Sequence, residues 1–147
     1  MKKKRKVSFV DVLPIETKLD SHDLLQIIIG SSLLAIPIGF TQETWEIGGF
    51  LPLTNILALA LISIIFLVIF TYVHYHQEHI NSNPKRHIYE MLKRVFATYI
   101  ISFFIVGLFL QIINVADWTN NLLVSFKRTV VVNLPSSMGA ALSDRLK

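Results

Sequence analysis

From Leu51 to Tyr75 the chain runs for 25 residues without an Asp, Glu, Lys or Arg. As an α-helix this stretch would measure about 37 Å, more than the roughly 30 Å hydrocarbon thickness of a bilayer. Its centre, Leu57 to Phe70, is almost wholly Leu, Ile, Ala, Val and Phe. A 147-residue chain has no soluble core large enough to absorb it, whereas lipid does. A second charge-free stretch, Val95 to Val115, spans 21 residues and carries Phe96, Tyr99, Phe103, Phe104 and Phe109. Charged residues make up 16% of the chain and mean hydropathy is +0.54. Soluble domains carry about 25% charged residues, so the whole chain reads as membrane-embedded.

Two further segments complete the expected architecture. Leu24 to Phe40 has 17 uncharged residues and follows a polar tail that opens Lys2-Lys3-Lys4-Arg5-Lys6. That length is the short end of a spanning helix. A cleaved signal peptide would need the lysines beside the apolar run and a small-residue cleavage site after it. Here an acidic, Pro-containing stretch intervenes, so a membrane segment is expected instead. Leu122 to Leu142 has the right length but contains Lys127, Arg128, Asn133 and Pro135. By composition it could cross, break or lie on the surface. The flanking charges favour crossing. Six Lys/Arg residues lie in the tail, Lys85, Arg86, Lys93 and Arg94 between the second and third segments, and Arg145 and Lys147 after the fourth. The loops Thr41 to Phe50 and Ala116 to Asn121 hold none, but carry Glu43, Glu46 and Asp117. By the positive-inside rule this places both termini in the cytoplasm. The expected fold is therefore all-α: a polytopic transmembrane helical bundle with four membrane segments, 24–40, 51–75, 95–115 and 122–142, behind a basic tail over 1–23.

Several functions are excluded or weakened by residue type. With no cysteine there is no disulfide, thiolate nucleophile or Cys-based metal site. The pI near 9.5 comes from lysines and arginines beside the apolar segments, so an anionic leaflet is the expected partner and nucleic acid is not. His74, His76, Glu78 and His79 form a metal-ligand set by residue type. At 100° per residue, however, His74 and Glu78 share one helix face while His76 and His79 lie nearly opposite, which disfavours one mononuclear site. No cofactor is expected. Ser31, Ala35 and Gly39 form a small-residue stripe in the first segment, matched by Ser136 and Ala140 in the fourth, as close helix packing requires. Pro37 and Pro135 each remove a backbone donor, and the freed carbonyls must face protein. Lys127 and Arg128 are costly inside a membrane segment. Glu43 and Glu46, at the same outer level, are the expected counter-ions, forming a candidate intramembrane charge site. Simple snorkelling to the interface competes with that pairing.

The string Pro37-Ile-Gly-Phe-Thr-Gln-Glu-Thr-Trp-Glu-Ile-Gly48, followed later by Leu134-Pro-Ser-Ser-Met-Gly-Ala-Ala-Leu142, resembles a family of bacterial integral membrane proteins of unknown function, domain of unknown function 2391. In that family a proline-bearing first span leads into an acidic, Trp-containing loop. The resemblance implies a bacterial cytoplasmic membrane and supplies no catalytic residues. Three functional classes remain open. The first is a small channel or transporter subunit acting as a homo-oligomer. The second is a structural or regulatory subunit binding another membrane protein. The third is a membrane enzyme, which has no nucleophile–base pair, phosphate loop or HExxH pattern behind it.

The charge asymmetry predicts the outcome of accessibility labelling at single cysteines placed at Ser8, Asn81, Asn120 and Ser143. Only Asn120→Cys is expected to react from outside; external reaction at Asn81→Cys or Ser143→Cys would reverse the topology.

Overall fold

The computed structural model describes residues 21–78 and 84–144, with side chains described over 21–73 and 88–144. Every regular element among them is an α-helix: α1 (Ser21–Gly39), α2 (Gln42–Phe50), α3 (Leu53–Glu78), α4 (Pro84–Ile112) and α5 (Leu122–Ser143). Three have the length and apolar composition to cross a membrane, within α1, over Leu53–Val73 and over Ile88–Ile112. The expected segments are all helical, but their edges move. The third begins at Pro84 rather than Val95, because proline suits the first helical position and Met91 and Val95 continue the buried stripe. The stretch Thr41 to Phe50, expected as a loop, contains α2. Helix there satisfies most backbone groups internally.

The outer helices bury narrow stripes and turn the rest outward. On α3 the buried positions Ile56, Ser63, Leu67 and Thr71 follow the helical repeat, while Leu57, Leu61, Ile65 and Ile69 are exposed. On α4 the stripe is Met91, Val95, Thr98, Ser102, Val106 and Leu110. Exposed aliphatics and aromatics of this kind are what a lipid-facing surface requires.

α5 is different. It is unbroken through Pro135, and Ser125, Thr129, Val130, Val132, Asn133, Ser136, Ser137, Gly139, Ala140 and Ala141 are all buried. Those positions cover more than one face, because α1, α2, α3 and α4 all pack against it. It is therefore unbroken and packed on several sides. Two small clusters fill the remaining core. Ala35, Val106, Leu110, Ala116 and Val132 join α1, α4 and α5. Leu67, Val95 and Ala141 join α3, α4 and α5.

The tightest approach is between α1 and α5. A Cβ built on Gly30 would lie 2.4 Å from the Gly139 carbonyl oxygen, and one on Gly139 would lie 2.6 Å from the Gly30 oxygen. Real Cβ atoms do not come so close, so backbone meets backbone at this crossing. Ser31, Ala35, Gly39, Ser136 and Ala140 are all buried around it. The stripe on α1 divides its partners: a Cβ on Gly39 would meet the Phe109 ring of α4 at 2.5 Å.

Alanine is favoured over glycine by about 1 kcal/mol in a helix. Overpacking costs about 1–3 kcal/mol, and here rigid backbone stands on both sides. Gly30→Ala and Gly139→Ala are therefore expected to lower the thermal midpoint in detergent, with Ser32→Ala as the neutral control. Glycine variants at least as stable as the parent would show that the helices do not cross at this point.

Candidate functional site

Two charged ends and a polar line between them make up the chemistry-bearing part of the bundle. At one end, α4 stops where Asn114 takes a left-handed conformation, φ 60°. Asparagine tolerates that region. The Val115 amide then donates to the Leu110 carbonyl at 2.9 Å and the Asn114 amide to Gln111 at 3.1 Å. This is the Schellman closure of a helix, and it leaves the Val115 carbonyl free. Arg128 Nη1 donates to that oxygen.

The same arginine lies over α2. A Cβ on Gly48 would stand 2.9 Å from Arg128 Cα, so only glycine lets α2 approach α5 here. The guanidinium passes above Gly49 and stacks on the Trp45 ring, 4.9 Å from its centroid. Such a cation–π contact holds the guanidinium plane. Lys127 Nζ donates to the Gly49 carbonyl at 3.2 Å.

The cations thus meet neutral groups, and the expected pairing with Glu43 or Glu46 does not form. Among the described residues neither Lys127 nor Arg128 has a carboxylate partner. The reason is helical phase. Once residues 42–50 coil, Trp45, Gly48 and Gly49 share the face toward α5, and Glu43 and Glu46 are rotated away from it. Glu46 accepts a hydrogen bond from Gln42 Nε2 at 2.6 Å, and Glu43 is exposed. Asp117 is bound within its own turn, accepting from the Thr119 hydroxyl at 2.6 Å and the Asn120 side-chain amide at 2.7 Å. Those bonds, the Thr119 hydroxyl first, lower its pKa to about 2.

Between the ends runs the polar edge of α5. Thr129 Oγ1 donates back to the Ser125 carbonyl at 2.8 Å, and Ser136 Oγ to Val132 at 2.8 Å. Asn133 is fully buried and accepts at Oδ1 from the Ser102 hydroxyl of α4, 2.7 Å away. Its Nδ2 makes no hydrogen bond of ordinary geometry, although the Tyr99 hydroxyl faces the same amide. Ser125 Oγ is likewise buried without a partner. One turn beyond Asn133, the Ser63 and Ser137 hydroxyls share a bond at 3.0 Å. Because Ser137 already donates to the Leu134 carbonyl, Ser63 of α3 is the donor.

The opposite end carries a buried ion cluster. Arg94 of α4 grips Asp144, just beyond α5, with two parallel bonds, Nε to Oδ2 at 2.9 Å and Nη2 to Oδ1 at 2.7 Å. Its Nη2 also reaches Asp23 Oδ2 in the first turn of α1, at 3.3 Å. Asp23 and Asp144 are only 5% and 4% exposed. One guanidinium thus ties three helices together.

None of Asp23, Arg94, Asp144, Ser63 or Ser102 stands out in the sequence. Arg94 counts there as one more positive-inside charge, and only the fold brings its two aspartates to it. Gly30 and Gly139 could have been suspected, since each is a lone glycine in an apolar run. The metal-type residues His74, His76, Glu78 and His79 lie outside the residues whose side chains are described.

An all-helical bundle with three apolar spanning helices and a lipid-facing exterior defines an integral membrane protein. Residues 3–146 match the family described as "Putative integral membrane protein (DUF2391)", and the chain belongs to that family. This is the family that the Pro37–Gly48 and Leu134–Leu142 strings resemble. No curated protein and no solved structure matches the chain.

Removing one member of a buried ion cluster leaves charge uncompensated, at a cost of about 3–5 kcal/mol. Arg94→Gln is expected to lose stability on that scale, because two carboxylates remain buried together. Adding Asp23→Asn and Asp144→Asn should recover most of the loss. Chemical denaturation of the single and triple variants in detergent is the measurement. A triple variant no more stable than Arg94→Gln would mean that packing, not charge, holds this corner.

Proposed function

We propose that the protein is a permeation or transport unit for a small polar solute or ion in a bacterial cytoplasmic membrane. In this proposal α5 is a fourth crossing, and both termini are cytoplasmic. The carrying observation is the buried polar edge of α5. Ser125, Thr129, Asn133 and Ser137 recur every fourth residue, from the level of Lys127 and Arg128 toward the Arg94 cluster.

At about 1.5 Å per residue, the 22 residues of α5 extend roughly 33 Å, close to the hydrocarbon thickness. Serine and threonine at such positions also serve close helix packing, but a fully buried asparagine is more than close packing needs. A ladder of hydroxyls and an amide offers donors and acceptors at successive depths, which a solute shedding water needs. The fully buried Asn133 amide, with the Ser102 and Tyr99 hydroxyls beside it, is the group best suited to hold such a solute. The path runs inside one protomer, because four helices of the same chain surround α5. Self-assembly, expected from the sequence, is therefore not required to enclose it. The role is non-catalytic: solute moves and no covalent bond changes.

The test is flux into liposomes carrying the purified protein, across a panel of monovalent cations, protons, phosphate and amino acids. At least one member should cross faster than in protein-free vesicles. Asn133→Leu should slow it tenfold or more while the protein stays folded. Equal flux in the parent and the Asn133→Leu variant would rule out a path along α5.

A further inference from the structure

The two ends of the bundle treat positive charge in opposite ways. At the Arg94 end one guanidinium has two buried carboxylates, Asp23 and Asp144. At the other end two adjacent cations, Lys127 and Arg128, have among the described residues only the carbonyls of Gly49 and Val115 and the Trp45 ring. We infer that Lys127 and Arg128, held by α2 and the α4–α5 turn, form a binding site for an anionic oxygen group, a phosphate or a carboxylate.

The electrostatics point that way first. A cation drawn out of bulk water is costly unless an opposite charge or strong acceptors replace its hydration. Both side chains are part-buried, and the nearby carboxylates of Glu43, Glu46 and Asp117 are exposed, bonded to Gln42, or bonded within their own turn. The first turn of α5 adds the positive end of a helix dipole to the same region.

Donor inventory is the second observation. A lysine ammonium has three N–H donors and a guanidinium five. Two of these eight are used by the backbone carbonyls, so six have no protein acceptor among the described residues. One of them, Arg128 Nε, is buried. A guanidinium edge beside an ammonium suits a tetrahedral or planar oxyanion, which takes parallel bonds from the first and a point charge from the second.

Pre-positioning is the third. Trp45 below the guanidinium and the Val115 carbonyl beside it fix its plane before any ligand arrives. The site stands independently of the transport proposal, because it is read by binding and not by flux.

The full chain, purified in a neutral maltoside detergent, should be titrated with inorganic phosphate, with acetate, and with phosphatidylglycerol in mixed micelles. Chloride at matched ionic strength is the control. Two readouts apply: the thermal midpoint of the unmodified chain, and Trp45 emission in a Trp118→Phe background, where Trp45 is the remaining tryptophan. A saturable change in both, absent with chloride, is expected with at least one anion. Arg128→Gln and Lys127→Gln should each weaken it tenfold or more, and Arg128→Lys should weaken it less than Arg128→Gln. A response to free phosphate or acetate identifies a soluble anion; a response to the lipid alone identifies a headgroup. Should Arg128→Gln fail to fold, Lys127→Met carries the comparison, because it leaves the arginine packing in place. No saturable response to any anion, or one unchanged in the lysine variants, would overturn the inference.

Discussion

A helix bearing Ser125, Thr129, Asn133, Ser136 and Ser137 cannot face hydrocarbon on those sides, and the remaining architecture answers that constraint. α1 and α4 supply small or polar positions where α5 is polar, and α3 supplies Ser63 opposite Ser137. α2 covers the first turns of α5, over Lys127 and Arg128. Small residues make the enclosure possible: with backbone in contact at Gly30 and Gly139, the helices come near enough for short hydroxyl side chains to reach across.

The ends of the bundle are closed by different chemistry. Near the helix termini backbone groups lose their helical partners, and charged side chains can take their place. At one end this is a bidentate Arg94–Asp144 pair with Asp23 alongside, linking the start of α1 and the body of α4 to the end of α5. At the other end it is arginine on carbonyl and indole, over a glycine pair. The first arrangement gives its cation two carboxylate partners and reads as structural. The second retains positive charge and donors, which is why the binding inference attaches there.

How much of this was legible beforehand varies with the range of the interaction. The apolar runs over 51–75 and 95–115 announce helices because hydrocarbon tolerates no other open-chain structure. Membership of the family was legible in the Pro37–Gly48 and Leu134–Leu142 strings. The stretch Thr41 to Phe50 reads as a loop in the sequence because it joins two apolar segments, yet it coils, and its glycines serve close packing against Arg128. That single change of conformation turned Glu43 and Glu46 away from the cations they were expected to meet. The polar content of segment four, which left its placement open in the sequence, marks the helix that the others surround.

By itself the sequence determined that the chain enters a membrane and that it does so as helices. Those outcomes follow from hydrophobic length and from the need to satisfy backbone hydrogen bonds locally, both readable one segment at a time. Only the tertiary structure decided which helix is central, that Arg94 serves Asp23 and Asp144, and that Lys127 and Arg128 meet carbonyls and an indole. Those outcomes depend on the rotational phase and crossing point of helices far apart in the chain, set by contacts such as Gly30 on Gly139, where a single added methyl group would move both backbones.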